Sequence, residues 1–320
     1  MVKKTTLIAL CTLMNVAFAP VTFANPVELS GDLSLKYQRD HEDSESAKDG
    51  LVSMLTLNAK AKLNENTFLY TRLGAQNVSK TQFREFDTPY YSDGKKEAFA
   101  LDQFGVIWNK DELTYKLGRQ DVTVGATALL YSRPDSNIGQ GAFADGLSIN
   151  GNVGNTEISA FFGREDNYGS DDNRLYAVRA AYSPNDTLTY GATAARYVNK
   201  ETGQANTNHW AVDGTYKYGK HNLTAEFAKS DSSTSNKAYA VILGYDFDGR
   251  AAASITGFRV EEQASMGGCS DFDNDNRGIH YGATYQINDA LSLEAVYKDQ
   301  KQISNGVKNN STEITLNYTF

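Results

Sequence analysis

The chain has 320 residues, 40% of them hydrophobic and 22% charged, a net charge of -8, 19 Tyr, 26 Gly and only 5 Pro. A mean hydropathy of -0.49, with no internal apolar run near the roughly 20 residues of a spanning helix, excludes a helical membrane protein. The acidic balance disfavours nucleic acid as a partner, because phosphate is repelled. A transmembrane β-barrel stays open, since its lipid-facing and water-facing residues alternate and average to a soluble-looking hydropathy.

Lys3 and Lys4 precede an apolar run from Leu7 to Ala19, and Thr22-Phe23-Ala24 supplies a small-x-small pattern. Residues 1–24 are therefore predicted to be an export signal cleaved after about Ala24, leaving 25–320 as one barrel domain. Pro20 interrupts a run already short for a span, which argues against an uncleaved anchor. Cys11 leaves with the signal, and Cys269 stands alone in a Gly/Ser/Asp-rich stretch, so no intrachain disulfide is expected. With no basic neighbour or His close in sequence to activate it, Cys269 reads as an ordinary loop residue.

From Glu28 onward the chain alternates with period two, the pattern of strands that meet a different environment on each face. In the first strand, Leu29, Gly31, Leu33, Leu35 and Tyr37 oppose Glu28, Ser30, Asp32, Ser34, Lys36 and Gln38. The pattern recurs at about 51–63, 67–78, 97–109, 113–121, 144–153, 156–166, 174–183, 187–198, 208–218, 221–230, 237–247, 250–261, 278–287 and 290–299. It closes with Ile314, Leu316, Tyr318 and Phe320 against Glu313, Thr315 and Asn317, so that sixteen strands are predicted. Each is near the roughly 9–11 residues a tilted strand needs to cross a bilayer.

Tight turns of the Asn/Asp/Gly type at Glu65-Asn66, Lys110-Asp111, Gly154-Asn155, Asn185-Asp186, Tyr218-Gly219, Asp248-Gly249 and Asn288-Asp289 alternate with longer polar connections. The longer ones begin near Asp40, Ser79, Val122, Asn167, Asn199, Asp231, Glu262 and Gln300. One end of the sheet is thus trimmed and the other ornamented, as in barrels with short periplasmic turns and long outer loops. Aromatic residues cluster at the ends of the apolar faces, as interfacial girdles do, and the charged opposite face argues for a wet interior over the dry core of a sandwich.

The closing Ile314-Thr315-Leu316-Asn317-Tyr318-Thr319-Phe320 resembles the C-terminal strand by which the barrel-assembly machinery recognises Gram-negative outer-membrane proteins, with Tyr318 and Phe320 as its signal. Leu117-Gly118-Arg119-Gln120-Asp121 followed by Leu129-Leu130-Tyr131 resembles the general diffusion porin pattern at the end of the fifth strand and the start of the third long loop. The resemblance implies a sixteen-stranded homotrimeric barrel in the outer membrane that passes small hydrophilic solutes, without cofactor or catalysis. It also implies that residues 122 to about 143 fold inward to narrow the lumen, with an acid on that loop facing a basic wall. The loop departs from the enterobacterial version, having Ser132-Arg133-Pro134-Asp135 and no Pro-Glu-Phe-Gly motif. Arg133, Asp135 and Asp145 are the candidates on the loop and its exit; Lys36, Lys60, Lys62, Arg72 and Arg179 are the inward wall candidates, with Tyr70 beside Arg72.

Asp271-Phe272-Asp273-Asn274-Asp275 begins like an EF-hand loop, but Asn276 stands where Gly is required and Gly282 where the bidentate Glu belongs. It reads as an acidic surface loop, and with Asp40-His41-Glu42-Asp43 and the acids of 166–172 it makes the outer rim acidic, where divalent cations would bridge to lipopolysaccharide. The four His are scattered and no nucleophile elbow or phosphate-binding loop is found, so no enzyme or metal centre is predicted. An adhesin or structural barrel, and a substrate-specific channel, are the alternatives; a plugged lumen or block by one solute class would mark them.

Overall fold

A computed structural model describes residues 27–43, 45–83, 95–139, 141–167 and 172–320; the predicted export signal lies outside them. The wall begins with β1 (Val27–Glu42), β2 (Lys48–Asn64), β3 (Thr67–Val78), β4 (Glu97–Lys110) and β5 (Leu113–Gln120). A two-stranded ribbon of β6 (Val122–Val124) and β7 (Tyr131–Arg133) then interrupts it. The wall resumes with β8 (Ala144–Val153), β9 (Thr156–Glu165), β10 (Arg174–Asn185), β11 (Leu188–Val198) and β12 (Thr207–Tyr218). It ends with β13 (His221–Ser230), β14 (Lys237–Asp246), β15 (Ala251–Val260), β16 (Asn276–Asn288), β17 (Leu291–Gln302) and β18 (Lys308–Thr319). The sixteen wall strands pair antiparallel in chain order, and β18 pairs with β1 to close the barrel. The all-β class, the strand count and the transmembrane-barrel architecture expected from the alternation are thus observed.

The outward face is the apolar one. Leu35, Val178, Val212, Val241 and Ile255 are exposed there, and aromatic residues ring the short-turn end: Trp108, Tyr182, Tyr190, Tyr216, Tyr218, Tyr285, Tyr318 and Phe320. Such a band with an aromatic girdle matches a hydrocarbon slab bounded by headgroups.

The short turns are written locally. Asn185 Oδ1 accepts from the Thr187 and Leu188 amides, Asp248 Oδ1 from Arg250 and Ala251, and Asn288 Oδ1 from Ala290 and Leu291. Each side chain mimics a backbone turn and so fixes the hairpin.

At the other end the strands run longer than expected. β1 and β18 stay paired out to Glu42 and Asn309, and β2 begins at Lys48, because an antiparallel ladder keeps satisfying its own backbone beyond the membrane. The residues left over form the long connections 43–47, 79–96, 121–143, 166–173, 199–206, 231–236, 261–275 and 303–307.

Candidate functional site: a lumen narrowed by two loops

The segment 121–143 lies against the inner wall. Leu129, Leu130 and Tyr131 are fully buried against a lining of small residues, Ala177, Ala195, Ala211, Ala228, Ala238 and Ala240, contributed by β10 to β14. Inward alanines leave room for a second layer of chain, and the three larger side chains fill it.

One side of this loop is anchored by Arg72 on β3. Its Nε and Nη2 reach the two carboxylate oxygens of Asp102 at 2.8 and 2.9 Å, Nη1 reaches Asp135 Oδ1 at 2.8 Å, and Nη2 donates to Asn137 O at 2.7 Å. The guanidinium also sits 4.7 Å from the Phe143 ring centroid. A bidentate pair with every remaining donor engaged is the arrangement in which a buried charge is tolerated. Asp102 owes its position to a bulge: the register of β3 on β4 shifts between Arg72 and Leu73, so that both Asp102 and Gln103 turn inward.

The tip and the return of the loop are anchored by carboxylates. Glu226 on β13 accepts from the amide and the hydroxyl of Thr127, both at 2.7 Å. Gly125 beside it has φ +99, and a Cβ there would meet the Glu226 carboxylate, so only glycine serves. Glu165, 2% exposed, accepts from the hydroxyls of Tyr131 (2.9 Å) and Tyr197 (3.1 Å) and from Asn167 and Asn173 (2.8 Å each), with Arg133 Nη2 3.4 Å away.

A second loop, 261–275, also folds inward. Met266 N donates to Leu130 O (2.8 Å), Ser132 N to Cys269 O (2.6 Å) and Asp271 N to Ala128 O (3.1 Å), giving the first loop a partner along its free edge. His209 Nδ1 donates to Ala264 O at 3.0 Å, and Phe272 stacks on Phe258 at 4.9 Å. The acidic surface loop expected here is therefore corrected: Ala264 and Met266 are fully buried and Phe272 is buried too, because the spacing of its acids conceals the apolar residues that seat it. Cys269 is partly buried, and burial pushes its thiol up, with the Glu165 charge adding to the rise.

Lys60, Tyr70, Arg72 and Asp135 line one aqueous recess, joined by Lys116 and Asp121, which sequence reasoning missed. Lys60 lies over Phe68 and Lys116 over Tyr70, each a cation on an aromatic face. Lys36 lies elsewhere on the wall, 3.6 Å from Glu313, whose other oxygen holds Lys298 at 2.8 Å. Arg179 faces a separate recess and is paired with Asp213 at 2.7 Å. Lys62 is exposed and pairs in register with Phe68 beside the first short turn.

Two candidates are placed away from the water path. Arg133 is 5% exposed and donates to Gly141 O and Phe143 O at 2.8 Å, so it braces the loop from within. Asp145 shares its face with Leu147, whose register partners Leu117 and Phe162 are exposed on the outward surface; there it pairs with Arg119 (2.9 Å) and Arg164 (3.7 Å). Alternation from Leu147 places Asp145 outside. Asp102 did leave a trace in the sequence: the outward residues run Phe99, Leu101, then Phe104 and Trp108, and that change of phase marks the bulge.

One row of the inner wall across β4, β5, β8 and β9 carries no side chains. Gly105, Gly118, Gly146 and Gly163 are register neighbours across β4, β5, β8 and β9. Tyr70 lies against Gly105 and bonds Arg119 O at 2.9 Å, while the Phe161 ring covers Gly146 and Gly163. Aromatic rings laid over glycines restore the packing that the missing side chains forfeit.

The model of a family described as Gram-negative porin matches residues 6–320. Among solved structures, substituted forms of the porin of Rhodopseudomonas blastica align at TM-scores of 0.60 and 0.59, with 12% and 11% identity, over 92% of this chain and 100% of theirs. A structure described as "Asymmetric conductivity of engineered proteins" aligns equally, at TM-score 0.60 and 12% identity over the same shares. No curated protein matches. With the barrel, its apolar exterior and its loop-narrowed lumen in agreement with a match over almost the whole length, the chain belongs to the Gram-negative porin family.

Proposed function

We infer that the chain is a passive diffusion channel of the outer membrane, carrying small hydrophilic solutes and ions down their gradients. The observation that carries this is the pairing of an apolar exterior with a closed barrel whose interior holds charged recesses beside the inward loops. Among the described residues no group of three or more His, Cys, Asp and Glu is placed to hold a metal. Of the residues expected at the pore, Lys36, Lys60, Tyr70, Asp135 and Arg179 are proposed to face the passing solute, with Lys62 nearer the periplasmic mouth. Arg72 and Arg133 are proposed to hold the loop in place.

The finer features belong to the same proposal. The signal is removed after about Ala24, the mature barrels assemble as a homotrimer, and the barrel-assembly machinery reads Tyr318 and Phe320. Acids of the outer rim meet lipopolysaccharide through divalent cations. Purified protein added to a planar bilayer is expected to give stepwise conductance increments, grouped in threes if the trimer inserts as a unit. Absence of steps, with the folded barrel verified by circular dichroism, would overturn the channel reading.

A further inference from the structure

The loop 261–275 fastens the narrowing loop, and it also carries charge into the lumen. Asp271 and Asp273 are exposed to water although Phe272 between them is buried, so the two carboxylates stand on the open side of a seated segment. Asp273 accepts from Gln300 on β17, which in turn accepts from His280 at 2.8 Å on β16. Asp273 lines one outer recess with Asp40, Glu42, Glu45 and Glu313, opposed there by Lys48 and Lys298.

We propose that loop 261–275 is a selectivity element of the pore, in which Asp271 and Asp273, acting against Lys298 on the adjoining β17, favour cations over anions. This rests on the channel reading. Three observations support it together. The loop is seated inside the barrel by backbone bonds to residues 128–132, so its charges have fixed positions. Asp273 borders the recess bounded by β1, β17 and β18, and Asp271, two residues before it, is exposed as well. The first loop points the same way: the single charge of Arg72 is shared between Asp102 and Asp135, so that cluster keeps a net negative charge and both inward loops present acid to the lumen. Fixed charges beside a narrow aqueous path act on ions at close range, where a ring of carboxylates raises the local cation concentration.

The test is the reversal potential of the full-length protein in planar bilayers under a salt gradient. Asp271→Asn together with Asp273→Asn is expected to lower the cation-to-anion permeability ratio by about twofold or more, the scale of a changed charge ring. Lys298→Gln is expected to raise it. Glu201→Gln, on the exposed connection 199–206, is expected to leave it unchanged and serves as the control. An unaltered ratio in the double variant, a shift of the same sign in Lys298→Gln, or an equal shift in the Glu201 control would each overturn the proposal. Asparagine preserves the shape of aspartate, and a variant's stepwise conductance verifies its barrel before its ratio is read. If the unsubstituted protein gives no steps, the channel reading itself fails; if it conducts and the ratio stays put, only the role of the loop does.

Discussion

At the residue scale, Arg72 is the side chain on which the position of the first inward loop most depends. It is 2% exposed, shares two bonds with Asp102 and spends its other donors on Asp135 and Asn137. Arg72→Ala would leave Asp102 buried and uncompensated, a loss of about 3–5 kcal/mol. The expected result is a lower midpoint in thermal unfolding and a noisier open channel. Arg72→Lys, keeping the charge but not the fork, is expected to fall between, since a lysine cannot reproduce bidentate geometry. Asp271 supplies a second expectation. Enclosure within the barrel pushes its carboxyl up from the usual value, and Lys298, then His280, then the Ser132 hydroxyl pull it part of the way back. It takes up a proton at higher pH than an ordinary aspartate, so cation preference should begin to fall, as pH is lowered, above the range in which an ordinary aspartate titrates. For stability the sign is opposite: a carboxyl raised in the folded state opposes folding while ionised, and that penalty is relieved on acidification. Reversal potentials taken at stepped pH, on the unsubstituted protein and on Asp271→Asn, check the first point.

At the element scale, the closing seam and the turns carry the most information. Gly31 N donates to Phe320 O at 2.8 Å and Phe320 N to Gly31 O at 2.9 Å, so the last residue of the chain completes the pairing of β18 with β1. A Cβ at Gly31 would stand 2.5 Å from Thr56 O and 2.6 Å from the Phe320 ring. Gly31→Val should therefore slow closure, seen as a smaller fraction of heat-modifiable folded band after refolding into detergent. The same substitution at Gly257, where a Cβ meets open space, should be tolerated far better. The turns were legible in the sequence because an Asn or Asp at the hinge bonds to amides two or three residues on, a strictly local event. Strand ends at the outer side were less legible, because pairing such as Glu42 with Asn309 joins opposite ends of the chain and leaves no local mark.

At the scale of the whole molecule, period-two alternation by itself determined that this is a barrel, how many strands it has and which face meets lipid. Each of those properties follows from the pleat, which sends successive side chains to opposite sides. Leu35 outward and Lys36 inward need no tertiary knowledge. What only the tertiary structure decided was how the lumen is filled. Residues 129–131 meet alanines from five different strands, and residues 266–271 meet residues 128–132, contacts between segments that lie far apart in the chain. Asp145 shows the limit most plainly: its charge suggested the pore, but the register with Arg119 and Arg164 sets it on the outside. A residue's face is written in its neighbours along the chain, whereas its partners across the lumen are fixed by closure of the sheet, which brings together segments that share no local pattern.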